Sequence, residues 1–285
     1  MSETMGYLAG MSIGGTVVEF VSHDIKETRE IIQDDGLRGT RTRALERVAQ
    51  GNIKVAGSIT MQPSPVELTA VLKYLLSSGS GLALTDAMQD VVVVVATPVI
   101  TNTYTGRFTS GEFTGEPGKK VTLKLNFVGK TLSTGAGGAL AAPDLTQRPY
   151  MFYDMGSGIT IGGTAYSIDK FHLMFDNKIE PTYMQGQAAT DLEPTDRVIT
   201  LGIQTKYTST EAGLLVTAQT GPVIASPQAA SVAFTNGSDS LTFTFGALVA
   251  TSETVVVPGR QHLRLPLNYQ CYGVGTTKEV VTTNG

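Results

Sequence analysis

The chain has no tryptophan, one cysteine and three histidines in 285 residues, and charged side chains make up only 16% of it. Each shortage closes off a class of chemistry. A lone cysteine, Cys271, forms no intrachain disulfide and reads as a small buried apolar side chain. His23, His172 and His262 have no second histidine or cysteine at metal-ligand spacing, so no metal or other cofactor is expected. No Gly-x-Ser-x-Gly elbow, phosphate loop, dinucleotide fingerprint or His-Glu-x-x-His occurs, and an enzyme is not expected. Asp34-Asp35-Gly36 begins like a calcium loop but lacks the remaining oxygen ligands, and reads as a turn. The most apolar run, residues 91–95, is far shorter than the roughly 18 residues that span a bilayer. It predicts a fully buried strand and no membrane partner. No Lys or Arg precedes Lys26, so the charged start of a secretory signal is missing and folding in a cytoplasm is expected. Residues 1–145 hold 13 basic and 14 acidic side chains, and residues 146–285 hold 8 and 11. Neither half offers the basic patch that grips nucleic-acid phosphates.

What the chain does have is alternation. In residues 53–61, Ile53, Val55, Ile59 and Met61 fall on one face and Lys54, Ser58 and Thr60 on the other, which predicts a strand packed on one side and wet on the other. Val121, Leu123, Leu125 and Phe127 alternate with Thr122, Lys124 and Asn126; Phe171, Leu173 and Phe175 alternate with Lys170, His172 and Met174. Asn236-Gly237 between two such runs predicts a tight hairpin. Ser64, Pro65 and Glu67 form a helix start with a capping box, and Leu68, Val71, Leu72, Leu75 and Leu76 continue at helical spacing. The fold class is therefore all-β with minor α.

The pattern occurs twice. Ser64 and Glu67 recur as Thr208 and Glu211, 144 positions later, ahead of a second helix that Gly213 should leave shorter or weaker. Pro117-Gly118 before Val121 to Phe127 recurs as Pro258-Gly259 before Leu263 to Tyr269. Two landmarks in the same order imply a duplicated domain. The Gly- and Ala-rich stretch after residue 133 is the connection, giving an N-terminal arm at 1–16, a first domain at 17–133, a linker at 134–150 and a second domain at 151–285. Leu37, Arg38, Arg41, Arg43, Glu46 and Arg47 lie in a long connection, 36–51, whose counterpart, 184–196, carries Asp191, Glu193 and Asp196. Connections this long usually bind a partner, and opposite charge favours head-to-tail docking.

Gly36-Leu37-Arg38-Gly39, Gly57-Ser58-Ile59-Thr60-Met61 followed by Pro63-Ser64-Pro65-Val66-Glu67-Leu68, Tyr104-Thr105-Gly106-Arg107, and Pro117-Gly118 before Val121 resemble the tail tube proteins of long-tailed bacteriophages, in the form with two tube domains per chain. Phe175-Asp176-Asn177-Lys178-Ile179-Glu180-Pro181 and Asp196-Arg197-Val198-Ile199-Thr200 carry the likeness into the second half. The resemblance implies two tandem β-sandwich or barrel-like domains, each with one flanking helix, related to the tube of type VI secretion systems. It also implies stacked rings of three chains with pseudo-sixfold symmetry, a virion location after assembly in the host cytoplasm, and tape-measure, tail-tip and terminator proteins as partners. Double-stranded DNA would pass through without sequence-specific binding. On this reading the two long connections stack the rings. The wet strand faces line the bore, with Asp24, Lys26, Glu30, Lys54, Ser58, Thr60, Thr122 and Lys124 from the first half and Lys170, His172, Asp176, Gln204 and Arg264 from the second. The alternative is a two-domain adhesin or carbohydrate-binding module, which predicts aromatic side chains clustered on loops. Here Phe and Tyr sit mostly at alternating strand positions.

Overall fold

The computed structural model describes residues 6–33, 45–76, 81–156, 158–219, 228–253, 263–276 and 278–284. In the first half, β1 (Gly10–Ile13) and β2 (Thr16–Val18) form a hairpin, and β3 (Ser22–His23) and β4 (Lys26–Gln33) both lie along β5 (Val48–Met61). After α1 (Pro65–Leu76) come β6 (Val91–Ala96), β7 (Ile100–Gly115) and β8 (Thr122–Ala136), and the order across the sheet is β2-β1-β6-β7-β8-β5 with β3 and β4 outside. The second half supplies β9 (Ile159–Ile161), β10 (Thr164–Tyr166), β11 (Ile168–Asp176), β12 (Ile179–Thr182), β13 (Asp191–Pro194) and β14 (Val198–Lys206). It continues with α2 (Ser209–Gln219), β15 (Gln228–Asn236), β16 (Asp239–Glu253), β17 (Arg264–Tyr272) and β18 (Val280–Asn284). Its order, β10-β9-β15-β16-β17-β14-β11, repeats the first strand for strand. Every pairing among the named strands is antiparallel, and α1 and α2 are the α-helices of the described residues.

The duplication extends to an irregularity. β7 and β8 pair Phe108 with Phe127 and then Ser110 with Asn126, leaving Thr109 as an extra residue; β16 and β17 pair Ala250 with Tyr269 and then Ser252 with Asn268, leaving Thr251. In each bulge the threonine hydroxyl donates to the opposite asparagine carbonyl, at 3.3 Å from Thr109 to Asn126 and 3.1 Å from Thr251 to Asn268. The same kink in the same place bends both long strands.

The capping box at α1 forms as expected: Ser64 N–H donates to Glu67 Oε2 at 2.8 Å, and the Glu67 N–H reaches Ser64 Oγ at 3.5 Å. The Glu67 carboxylate is buried and also receives the Glu19 N–H. In α2 the Thr208 hydroxyl donates to Glu211 and the Thr210 N–H to Thr208 Oγ1 at 3.2 Å. α2 is described over 11 residues to the 12 of α1, with Gly213 on an exposed face.

Three expectations change. The run at 91–95 is not buried on both faces: Val91, Val93 and Val95 are in the core while Val92 is 41% exposed. Within the expected arm, Gly10–Ile13 pairs with β6, and Met11 and Ile13 are fully buried. β5 begins at Val48 rather than Ile53, after a short 3-10 turn at Leu45–Arg47. Its first residues and all of β4 face water on both sides, so no apolar period marks them. In the β15–β16 hairpin Asn236 pairs with Asp239, and Gly237, at φ +66°, takes the first central position.

Within the large sheet the halves are joined through one strand. One flank of β7 is divided, with residues 101–106 against β6 and 110–115 against β11, so the sheet runs without a break from β2 to β10. Gly115 permits the close approach: a Cβ there would lie 2.3 Å from the Phe171 ring. Behind the sheet one apolar cluster spans both halves. Phe113 of β7, Phe175 of β11 and Phe243 of β16 meet at centroid distances of 5.8 to 6.1 Å. Burying each ring contributes about 2–3 kcal/mol.

Candidate functional site

Because strand side chains alternate, burying one face of this sheet obliges the other to face outward, and that face is continuous across the joint. One cross-strand row reads Thr60, Lys124, Glu112, Met174, Thr200, Gln270 over β5, β8, β7, β11, β14 and β17. A second reads Thr122, Thr114, His172, Gly202, Asn268, and a third Ser58, Asn126, Ser110, Asp176, Val198. Lys170 opposite Gln204, and Lys206 opposite Arg264, extend the same face. Nine sequence candidates, Ser58, Thr60, Thr122, Lys124, Lys170, His172, Asp176, Gln204 and Arg264, therefore share one surface. Lys54 and Lys26 continue it on β5 and β4, opposite Thr28 and Ala56. Asp24 turns its carboxylate onto the Ser58 N–H and hydroxyl, and Glu30 accepts the Asn52 N–H at 3.3 Å where β4 slips register.

Sequence reasoning missed Glu112 and Thr114. Their strand, β7, is punctuated by Gly106, Gly111 and Gly115, and cross-strand neighbours depend on register.

Part of the charge on this surface is paired. His172 Nε2 lies 2.9 Å from Glu112 Oε1, Lys178 Nζ 2.6 Å from Asp176, and Arg264 bonds Asp169. Lys170 Nζ is 2.7 Å from Glu116, which also meets Lys119 at 2.7 Å. The hydrogen bond from Lys119, then that from Lys170, holds the Glu116 carboxyl down at about 2. Hydrogen bonds from the Ser58 N–H and hydroxyl keep Asp24 below the usual carboxylate range, and burial lowers His23, which is neutral at pH 7. Such a surface presents hydroxyls, amides and paired charges, with Lys26, Lys54, Lys124 and Lys206 dispersed among them rather than gathered into one basic patch.

Leu37, Arg38, Arg41 and Arg43 lie outside the described residues. Glu46 and Arg47 belong to the 3-10 turn that leads into β5. In the counterpart region Asp191 is engaged within the chain: Lys130 Nζ lies 2.9 Å away and Arg107 Nη2 3.7 Å, while Asp90 bridges the same two cations at 2.8 and 2.7 Å. The Lys130 hydrogen bond, followed by the Leu192 N–H, pulls the Asp191 carboxyl below its ordinary range. Glu193 and Asp196 are exposed. Burial pushes the Cys271 thiol up to about 12, so it carries no thiolate at neutral pH. Among the described residues no group of three or more His, Cys, Asp or Glu side chains is placed to hold a metal, and no helix is long and apolar enough to cross a membrane.

The model of the phage tail tube protein family matches residues 4–271, nearly the whole chain. The chain belongs to that family. A phage tail tube protein is a structural component of the virion tail that assembles with itself and with other tail proteins, and this membership accords with a fold made of sheet surfaces and strand edges. No curated protein matches this tail tube protein.

Proposed function

We propose that this chain is the major tail tube subunit, three copies forming a ring of six tube domains, two in each chain, the first of them including β1 and the whole of β8. Rings stack into a hollow tube that conducts the phage genome into the host. The reading rests chiefly on the polar face that runs unbroken over β5, β8, β7, β11, β14 and β17, because a bore needs one continuous wet surface without a concentrated basic patch. The duplicated topology supports the count, since two equivalent domains per chain turn a sixfold ring into a trimer.

In this arrangement the thirteen bore candidates line the channel, and DNA passes without sequence readout. Leu37, Arg38, Arg41, Arg43, Glu46 and Arg47 meet Glu193 and Asp196 of the next ring, with Asp191 retained for contacts inside its own chain. Assembly takes place in the host cytoplasm, with tape-measure, tail-tip and terminator proteins setting the length and the two ends.

Electron microscopy of the purified protein, alone and with a tail-tip initiator, tests the proposal. Threefold rings or tubes with an open centre are expected. A protein that stays monomeric at millimolar concentration with the initiator present would sink it.

A further inference from the structure

The two halves use one hairpin in two ways. β12 and β13 continue β11 and β14 past Asp176 and Val198, with Ile179 opposite Pro194 and Pro181 opposite Leu192. In the first half Thr28 pairs with Lys54, Ile31 with Gln50 and Gln33 with Val48. The registers coincide, so Ile31 corresponds to Ile179 and Val48 to Leu192. Their surroundings differ. Ile179 is 8% exposed and Leu192 fully buried, because their hairpin lies on the first half against Met88 and Val128. Ile31 is 64% and Val48 38% exposed.

The surface that receives β12–β13 has a counterpart too. The matched bulges at Thr109 and Thr251 align Arg107 with Val249 and Val128 with Gln270; Tyr272 holds the sequence position of Lys130, which in β8 is the extra residue of a further bulge. In the internal joint Arg107 donates to the Leu192 carbonyl and Lys130 holds Asp191. In the second half those cations are replaced by Val249 and by Tyr272, which is 44% exposed, and Asp191 is replaced in the first-half hairpin by Arg47. The hairpin keeps its apolar positions, Ile31 and Val48 for Ile179 and Leu192, while the charged part differs on both sides: Arg47 stands for Asp191, and Val249 and Tyr272 for the two cations of the socket.

We infer that the β4–β5 hairpin of one chain docks on the second half of another copy of the same chain, seating Ile31 and Val48 over Val249, Gln270 and Tyr272. The contact repeats the joint that β12–β13 makes within the chain. It brings the outer edge of β4 beside β16, whose residues 249–253 have no strand, among the described residues, on the flank that β15 covers earlier. Edge pairing of this kind uses backbone groups that water otherwise satisfies. Repeated head to tail, the contact closes a ring; the inference rests on the tube reading and names the surface through which neighbours within one ring meet.

The test is a double variant, Ile31→Cys with Gln270→Cys, in a Cys271→Ala background, oxidised under assembly conditions. Disulfide-linked dimers and trimers are expected, ending at three chains. The companion variant Ile31→Asp with Val48→Asp changes only exposed positions. It should keep the wild-type circular dichroism and Tm while raising the concentration needed for assembly about tenfold or more. Rings or tubes that form without cross-links, or that assemble normally with both aspartates, would overturn this contact and leave the tube reading standing. A wild-type chain that never assembles overturns both.

Discussion

Two hairpins of matching register, β4–β5 and β12–β13, end in opposite conditions: one exposes its apolar side chains and the other buries them against the first half. The difference shows that strand register and burial are set by separate causes. Register follows from local pairing and survives duplication; burial depends on what lies across the hairpin. Only the second-half hairpin seats its apolar side chains on the other half; β5 meets the second half through polar groups, the Ile53 N–H donating to the Gln187 carbonyl at 2.7 Å and Gln187 Nε2 to the Gln50 carbonyl at 2.9 Å.

The sharpest way to break this comparison is to truncate the paired positions Leu192 and Val48. Leu192→Ala should cost about 2–5 kcal/mol, because it empties a fully buried site between the halves. Val48→Ala should change monomer stability by no more than about 0.5 kcal/mol. Urea denaturation of both variants measures the gap, and equal losses would mean that the two hairpins are buried alike.

The helix starts offer a second, smaller contrast. Glu67→Ala leaves the buried N–H of Ser64 and the part-buried N–H of Glu19 without their carboxylate acceptor and should cost about 2 kcal/mol. Glu211→Ala removes only the partner of the Thr208 hydroxyl and should cost about 1 kcal/mol or less. The same denaturation series reads both, and a larger loss at Glu211 would reverse the ranking of the two caps.

The smallest effect concerns the charge that crosses the joint. Glu116 belongs to the first half and Lys170 to the second, and the folded carboxyl is depressed to about 2. A depressed acid stabilises the fold above its unfolded pKa and loses that contribution as pH falls through the folded value. The Tm advantage of wild type over Glu116→Gln should therefore be complete above about pH 5 and vanish toward pH 2. An advantage that grows on acidification would contradict the assignment. The pair is exposed, so the difference should be slight.

How much of this was legible in the sequence depended on burial. Strands with one dry face, such as the one carrying Phe171, Leu173 and Phe175, announce themselves by period two, and their wet partners form much of the outward surface. β4 and the first residues of β5 do not, because both of their faces meet water. β12 and β13 carry Pro181 and Pro194, which read as breakers; the structure accommodates them in a two-stranded sheet of its own. The β7–β11 joint left no trace, since periodicity shows which face of a strand is dry but not which strand lies beside it.

The divided flank of β7 has a mechanical consequence. A single strand that is hydrogen-bonded on one edge to its own half and to the other half, over a shared aromatic core, leaves the two halves no hinge. Any curvature a tail adopts must then be taken up where chains meet. In the proposed ring of three chains, two domains per chain halve the number of compliant seams around the circumference, so the polypeptide itself would set the stiffness of the tube.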